Sequence, residues 1–481
     1  MNHWRCSTAL IWKIPDELLG LIFDYLCDVE PRVYRKSRVP ISLRLSAVCS
    51  HWRFIMLSTP WYWTKISVRC TSTRGILPEF HLLQLFLERS KENLLDLNVS
   101  FPISGFHTQE LILQLFKMLA AQAHRWNSLE IFATQSQHLC LLRHPYISSC
   151  LELTSLTLRG VLDSQEGPAM NFVPMPKLKS FIPRVFNRPL RPDSSFPWHQ
   201  LTKLSLDCWS LSDLSFVGLC KNLLHLRISV DYDSEMTPPR VPKAPVPSVL
   251  EQPRMLTLVL SPSEPKTRFV EIVLDLFAMP ALAHLEVEGD TSEQADHGAA
   301  DWPFGIMDVL IERDLFPLTT LAIHNISISE NDLTTFLRKT PSLTTLSIQE
   351  AQFEGSFEKQ ISSPISINFM RSLCAVSGEE HSSTEAQLLP NLTTLYLTIY
   401  KEFSDEAFTD MIHSRWGDED HSLTQESSIS RLKEVVAHLG DQDISLSKRD
   451  SDSTKLKALS TLQHQGLFIE VVDSGDYVYL D

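Results

Sequence analysis

The first pattern of hydrophobic and polar positions lies near the amino terminus, where two stretches carry apolar residues at helical spacing. In the first stretch these residues are Leu18, Leu19, Ile22, Phe23 and Leu26. In the second they are Leu45, Val48, Cys49, Trp52, Ile55 and Met56. Pro15 stands where proline favours a helix start, and Pro60 stands where it stops a helix from continuing. The pattern predicts two amphipathic helices, followed by the start of a strand at Ile66 and Val68.

These predicted helices present more apolar surface than they can bury by themselves. A segment of about 55 residues is too short to form a core that covers both stripes. We therefore expect a partner protein to cover them. The alternative is that both helices only cap the amino terminus of the domain that follows.

A second pattern starts near residue 90, where a hexamer Leu-x-x-Leu-x-Leu begins to recur. Its clear copies start at Leu94, Leu153, Leu201, Leu223, Met255, Leu282, Leu318, Leu343 and Leu392. Weaker copies start at Trp126, Leu178 and Leu432. In each copy the fourth and sixth residues alternate with their neighbours, which is typical of a strand with one buried side. One such strand cannot bury its apolar side alone, so the copies predict a parallel sheet built from stacked repeats.

The segments between the hexamers predict helices, turns and loops. Helical spacing occurs in Asn331 to Lys339, in Ser212 to Cys220 and near Leu456 to Gln463, and Leu467 to Asp473 is typical of a last strand. Prolines that end a helix precede several hexamers, at Pro176, Pro280, Pro317, Pro341 and Pro390. Polar or proline-rich segments predict loops at residues 231–253, 290–300, 377–387, 418–428 and 440–454.

Composition narrows the classes of function. The net charge of −15 argues against nonspecific binding to nucleic acid or to an anionic membrane. The nine cysteines are odd in number and scattered, which favours reduced thiols over disulfides or a zinc site. No secretory signal or membrane span is evident, so we expect a soluble protein of the cytoplasm, the nucleus or both.

The sequence contains no motif that indicates catalysis. A phosphate-binding Gly-rich loop, Gly-x-Ser-x-Gly and His-Glu-x-x-His are all missing from it. We therefore predict a protein that is not an enzyme, with no catalytic residues, no cofactor and no metal site.

The residues of the amino-terminal pattern resemble a known domain. The strings Ile-Pro-x-Glu-Leu-Leu-x-x-Ile-Phe-x-x-Leu, Leu-Ser-x-Val-Cys-x-x-Trp-Arg-x-Ile and Ser-Thr-Pro-Trp-x-Trp, starting at Ile14, Leu45 and Ser58, resemble an F-box, most closely that of the divergent F-box proteins of fungi. The resemblance implies docking on the adaptor subunit of an SCF ubiquitin ligase and, through it, on a cullin. It assigns adaptor binding to Pro15, Leu18, Leu19, Ile22, Leu26, Leu45, Val48, Cys49 and Trp52.

This chain departs from the F-box pattern in two places. Ile14 stands where the family usually has leucine, a substitution that conserves volume. The link from Leu26 to Leu43 is longer than usual and contains Arg32, Arg35, Lys36 and Arg38. We favour a solvated loop for these charges over a contact with an acidic adaptor surface.

The hexamers resemble leucine-rich repeats, although the asparagine or cysteine usual at the ninth position is absent. The fold class expected is α/β, with a helical F-box domain at residues 10–68 followed by an irregular solenoid with a parallel sheet. That solenoid is a leucine-rich-repeat-like substrate-recognition domain at residues 69–481, with a proline-rich insertion at 231–253. The alternative is a generic α/β domain with an open parallel sheet.

The third and fifth residues of the hexamers should line the exposed face of this sheet, where repeat proteins bind their partners. The predicted target-binding residues are Lys203, Ser205, His225, Arg227, His284, Glu286, Thr345, Thr394 and Tyr396. An alternative for any one of them is that β-propensity alone selects serine and threonine. We predict a substrate-recognition subunit of an SCF-type ligase. A repeat scaffold outside any ligase is the alternative, and an enzyme on an α/β scaffold is less favoured.

Overall fold

The computed structural model of the chain describes its helices, its strands and part of the connections between them. The described residues are 14–29, 39–69, 76–101, 109–134, 137, 141–142, 147–161, 172–184, 196–208, 214, 216–230, 248–260, 270, 273, 276–290, 299–303, 305, 307, 317–351, 363–375, 387–400, 404–416, 429–439 and 459–473. The basic link at residues 30–38 and the predicted loops at 418–428 and 440–454 lie outside them. So do most of the predicted loops at 231–253, 290–300 and 377–387.

The described part of the chain contains nine α-helices. They are α1 (Asp16–Val29), α2 (Ile41–Ser46), α3 (Ser50–Ser58), α4 (Ile76–Arg89), α5 (Gln109–Ala120), α6 (Glu330–Arg338), α7 (Ile367–Leu373), α8 (Asp405–Trp416) and α9 (Ser460–His464). A 3-10 helix, Pro60–Trp63, follows α3.

Among the residues that the structure describes, fourteen strands belong to one large parallel sheet, in which strand order follows chain order. The first five are β1 (Lys65–Arg69), β2 (Leu95–Ser100), β3 (Trp126–Thr134), β4 (Ser155–Val161) and β5 (Ser180–Arg184). The other nine are β6 (Lys203–Cys208), β7 (His225–Val230), β9 (Met255–Leu260), β11 (His284–Gly289), β13 (Thr320–His324), β15 (Thr345–Gln349), β16 (Thr394–Ile399), β17 (Glu434–Leu439) and β18 (Phe468–Asp473). Every predicted hexamer therefore forms a strand.

Two short parallel pairs lie outside the large sheet. They join β8 (Ser248–Val249) to β10 (Phe277–Ala278), and β12 (Ala300–Asp301) to β14 (Ile326–Ser327). Strands β8 and β12 fall at the ends of segments predicted to be loops, so the loop prediction was wrong at those ends.

The strands are aligned at the third hexamer position. Lys203 pairs with His225, for example, and Thr345 pairs with Thr320 and Thr394. The fourth and sixth residues are buried throughout, as predicted. One start was wrong: Met255 pairs with His225 and His284, so it occupies the third position and not the first. A shift of two residues keeps each side chain on its predicted face, because side chains alternate with a period of two.

Threonines at the second hexamer position link successive repeats through their side chains. The hydroxyl groups of Thr319, Thr344 and Thr393 each donate to the backbone carbonyl at the same position of the preceding repeat, at 3.1 Å. Thr154 donates in the same way to Asn127 O at 3.0 Å. These bonds add to the ladder hydrogen bonds where each strand begins.

Two predicted helices differ in the structure. The second amino-terminal stripe was predicted as one helix but is divided between α2 and α3. Cys49, extended at φ −157°, caps α3, and its Sγ accepts a hydrogen bond from Trp52 N at 3.4 Å. In Ser212 to Cys220, the described residues contain the 3-10 helix Val217–Leu219. Leu214 and Val217 are buried there and Leu219 is exposed, so the prediction that these three residues lie on one apolar side was wrong. Helix α6 matches its prediction, with Ser329 as the N-cap.

The chain divides into two compact units. The first consists of Met1–Phe186 and Leu190–Pro197, and the second of Asn187–Pro189 and Trp198–Asp481. In the first unit, Trp63 is buried, stacks edge-on to Phe86 with ring centroids 5.0 Å apart, and donates from Nε1 to Met56 O at 2.8 Å. The helical stripes, α4 and strand β1 therefore share one core.

Candidate functional site

Helix α1 is apolar on two sides, and only one of them is covered. Leu19 and Phe23 are buried, whereas Leu18 and Ile22 are 51% and 43% exposed. Leu21 and Tyr25, which the sequence analysis did not select, are also exposed. Residues 18, 21, 22 and 25 follow the i, i+3, i+4, i+7 spacing of a single helix face. We call this set, Leu18, Leu21, Ile22 and Tyr25, the α1 stripe.

The covered side of α1 is fixed by aromatic residues of α3 and of the 3-10 helix. The Phe23 ring lies edge-on to Trp52 and to Tyr62, at centroid distances of 4.8 and 6.3 Å. Tyr62 Oη donates to Gly20 O at 3.2 Å. Burial, with a further contribution from Asp24, raises the pKa of Tyr62 to about 12, so the phenol stays protonated. This packing holds α1 with the α1 stripe facing outward.

The predicted adaptor-binding residues of α2 and α3 are divided in the same way. Leu45 is buried, Cys49 and Trp52 are partly exposed, and Val48 is 59% exposed. Arg53 donates from Nε to Ser46 O at 2.9 Å and ties α3 to α2. Other exposed apolar residues of this region, missed by the sequence analysis, are Val39, Phe54, Leu57 and Trp61.

The nine predicted adaptor-binding residues therefore fall into two groups. Leu19 and Leu45 are buried among the chain's own side chains and support the helices from beneath. Pro15, Leu18, Ile22 and Val48 are exposed, while Leu26, Cys49 and Trp52 are intermediate. The missed residues Leu21 and Tyr25 could have been found from the sequence. They lie three and seven positions after Leu18, which places them on the same helix face.

The second candidate surface lies on the sheet of the second unit, where polar side chains form a chain across five neighbouring strands. His225 Nε2 lies 3.2 Å from Thr257 Oγ1, which donates to Glu286 Oε2 at 2.8 Å. Glu286 Oε1 lies 3.7 Å from His324 Nδ1, and His324 Nε2 lies 3.1 Å from Ser347 Oγ. We call these five residues, on β7, β9, β11, β13 and β15, the sheet network.

An ion pair flanks the sheet network. Arg227 Nη1 donates to Glu288 Oε2 at 2.6 Å, and both side chains are less than one-third exposed, at 27% and 30%. Glu288 pairs with His324 in the register of β11 and β13. In the described residues, Glu286, Glu288 and His324 form a group whose ligand atoms all lie within 4.8 Å of one another, a spacing suited to a metal ion.

Burial changes the charge of the histidines on this face. It lowers the pKa of His225, and the nearby Lys203 adds to the effect while Glu286 opposes it. It also lowers the pKa of His284, again against Glu286. Both imidazoles are therefore neutral at neutral pH, and the face carries less positive charge than its residue types suggest.

Four of the predicted target-binding residues lie close to one another, and Lys203 pairs with one of them, His225, in the register of β6 and β7. His225, Arg227, His284 and Glu286 lie on β7 and β11, on either side of β9. Ser205 is only 1% exposed, so its predicted role in direct contact was wrong. It pairs with Arg227, and small residues between long side chains of neighbouring strands are covered by them. Lys203, Thr345, Thr394 and Tyr396 keep an accessible surface at positions outside the sheet network.

Four residues of this surface, Thr257, Glu288, His324 and Ser347, are absent from the predicted target-binding set for identifiable reasons. Thr257 and Ser347 occupy the third and fifth positions of their hexamers as predicted, so the two-residue alternation placed both on the exposed face although neither belonged to the predicted set. Glu288 and His324 occupy the seventh position, one step beyond the hexamer. The two-residue alternation of a strand continues to that position and would have found both.

Neither the protein-family models nor the curated proteins contain a match to this chain. In the described residues, no helix combines the length and the apolar character needed to cross a bilayer.

Proposed function

We propose that this protein is a substrate-recognition subunit of an SCF-type ubiquitin ligase. In this proposal α1 to α3 form an F-box that docks on the adaptor and, through it, on the cullin. The sheet forms a leucine-rich-repeat-like domain that holds a target protein. The proposal places the protein in the cytoplasm or the nucleus, where these ligases act.

The observation that carries the proposal is the α1 stripe. Four large apolar or aromatic side chains on one helix face remain exposed, although the opposite face of the same helix is buried. Contiguous exposed apolar surface of this kind is typical of a protein–protein interface. The exposed members Leu18 and Ile22 are among the residues that the F-box resemblance assigned to the adaptor.

The sheet supports the second half of the proposal. Its strands follow chain order and share one register, which is the arrangement that stacked repeats produce. The polar face of β7 to β15 offers neutral imidazoles, hydroxyl groups and one ion pair, a mixture suited to a polypeptide partner. The subunit contributes proximity between target and ligase, and no reacting group of its own.

We expect Leu18→Asp and Ile22→Asp to weaken binding to a purified SCF adaptor by about 30-fold or more each. The reason is that a central apolar contact is worth about 2 kcal/mol or more, and the introduced charge would be buried in the interface. Binding of the full chain would be measured by surface plasmon resonance. Leu19 is unsuitable for this experiment, because a charge in the core would unfold the helices.

The matched control is Val249→Asp, since Val249 is equally apolar and exposed but lies on β8 of the second unit. This variant should bind the adaptor like the wild type. Unchanged binding by both α1 variants would refute docking through α1. A wild-type chain that does not bind the adaptor would favour the alternative, a repeat scaffold outside any ligase.

A further inference from the structure

Glu286, Glu288 and His324 converge at the surface of β11 and β13, although the sequence contains no metal-binding motif that joins them. Around one ion, ligand atoms at about 2.1 Å lie roughly 3 to 4 Å from one another. His324 Nδ1 and Glu286 Oε1 are 3.7 Å apart, too far for a hydrogen bond and within this range. The Glu288 carboxylate completes the group.

Each of the three side chains is oriented by a hydrogen bond or contact with a further residue. Ser347 Oγ contacts His324 Nε2, Thr257 Oγ1 donates to Glu286 Oε2, and Arg227 donates to Glu288 Oε2. Thr257 is itself buried at 1% exposure. Such partners fix the tautomer and direction of metal ligands in known metal sites, and here they come from strands on both sides of the group.

The group stands on paired strands of the sheet, with a small residue between its members. Ala322 pairs with Glu286 on one side and with Ser347 on the other. Its small side chain lies between longer ones, so the Glu286 and His324 side chains can approach each other above it. The ligands therefore stand on a hydrogen-bonded sheet, which is a more precise support than a loop.

We propose that Glu286, Glu288 and His324 bind one divalent transition-metal ion of the zinc class. One imidazole nitrogen and two carboxylates are ligands that zinc accepts, and a three-residue site leaves a coordination position open to water or to a side chain of a partner. The site lies on the face proposed to bind a target, and it does not depend on adaptor docking.

The test is isothermal titration calorimetry of Zn²⁺ into the full chain and into Glu286→Gln and His324→Ala. The wild type should bind one tight equivalent more than either variant, because each substitution removes a ligand. Ser347→Ala keeps all three ligands and should weaken this equivalent by about tenfold or more. Zn²⁺ should also raise the thermal unfolding midpoint of the wild type more than that of the variants.

His284→Ala is the matched control, since His284 lies on the same face of β11 but outside the group, and it should keep the extra equivalent. The near-isosteric Glu286→Gln must unfold at the wild-type temperature without metal, which separates ligand loss from misfolding. Equal stoichiometry and affinity in the wild type and in Glu286→Gln would overturn the proposal, as would binding only at millimolar Zn²⁺, the behaviour of an adventitious ion. Adaptor binding by the same preparations would be unaffected by either result.

Discussion

At the scale of single residues, the histidines of the sheet face link stability to pH. The ordinary pKa of histidine is 6.5, and burial lowers it for His225 and His284 in the folded chain. As pH falls below about 6.5, the unfolded chain takes up protons at these positions before the folded chain does. Protonation therefore favours unfolding between the unfolded and the folded pKa values.

We expect the urea midpoint of unfolding to fall between pH 7.5 and pH 5.5, and to fall less in the double variant His225→Asn, His284→Asn. The variant removes two groups that bind protons more readily in the unfolded chain. Midpoints would be measured by circular dichroism at both pH values. An unchanged pH dependence in the double variant would show that other groups dominate the titration.

The amino-terminal residues show how much of the candidate site a sequence can reveal. Helical spacing identified the stripes, but it could not tell the exposed Leu18 from the buried Leu19. Both are apolar, and the helix that carries them is apolar on two sides. Which side is covered depends on Phe23, Trp52 and Tyr62, whose ring contacts arise only in the folded chain. For this reason the predicted adaptor-binding set mixes supporting and exposed residues.

At the scale of elements, the strands were easier to predict than the helices. A hexamer with two fixed apolar positions specifies a strand, its face and its neighbours, and all twelve copies formed strands. The helices depend on weaker local signals. The second stripe has continuous helical spacing, yet the extended backbone of Cys49 divides it. In that conformation the Cys49 side chain caps α3 and gives its first turn a hydrogen-bond acceptor.

One strand contact depends on a glycine. At Gly160 in β4, φ is +139°, and an added Cβ would overlap the carbonyl oxygen of Ala133 in β3. We expect Gly160→Ala to destabilise the fold by about 2 kcal/mol or more, through backbone strain and overpacking together. Thermal unfolding followed by circular dichroism measures the effect.

The control for this substitution is Gly305→Ala, since an added Cβ there has no heavy atom within 4 Å. This variant should unfold within about 0.5 kcal/mol of the wild type, as surface substitutions usually do. Equal stability of Gly160→Ala and Gly305→Ala would show that β3 and β4 tolerate a wider spacing than the structure has.

At the scale of the whole molecule, the two candidate surfaces belong to different compact units and should act independently. The double variant His225→Ala, Arg227→Ala changes the sheet face without touching α1 to α3. We expect its affinity for the SCF adaptor to stay within about twofold of the wild type. Residues that share no partners with a docking surface usually act independently of it. Surface plasmon resonance with the same adaptor measures it, and a larger loss would mean that the units are coupled.

The general architecture was predictable and the chemistry of the sheet face was not. Repetition of one hexamer predicted the parallel sheet, since every copy has the same requirement for burial. The group formed by Glu286, Glu288 and His324 joins residues of two different strands. Glu288 and His324 are 36 residues apart in the chain. Only the register of β11 and β13 brings these residues together, and no local spacing contains that information.

The agreement between strand order and chain order has a consequence for how this protein can change. Within each unit, every strand of the large sheet bonds to those nearest to it along the chain, so removing one strand with its connection would leave its two neighbours free to pair with each other. Duplication or loss of such a segment alters the length of the sheet and the residues on its exposed face together, while the remaining pairings stay as they were. A chain of this kind can therefore change its exposed sheet face by whole segments as well as by point substitution.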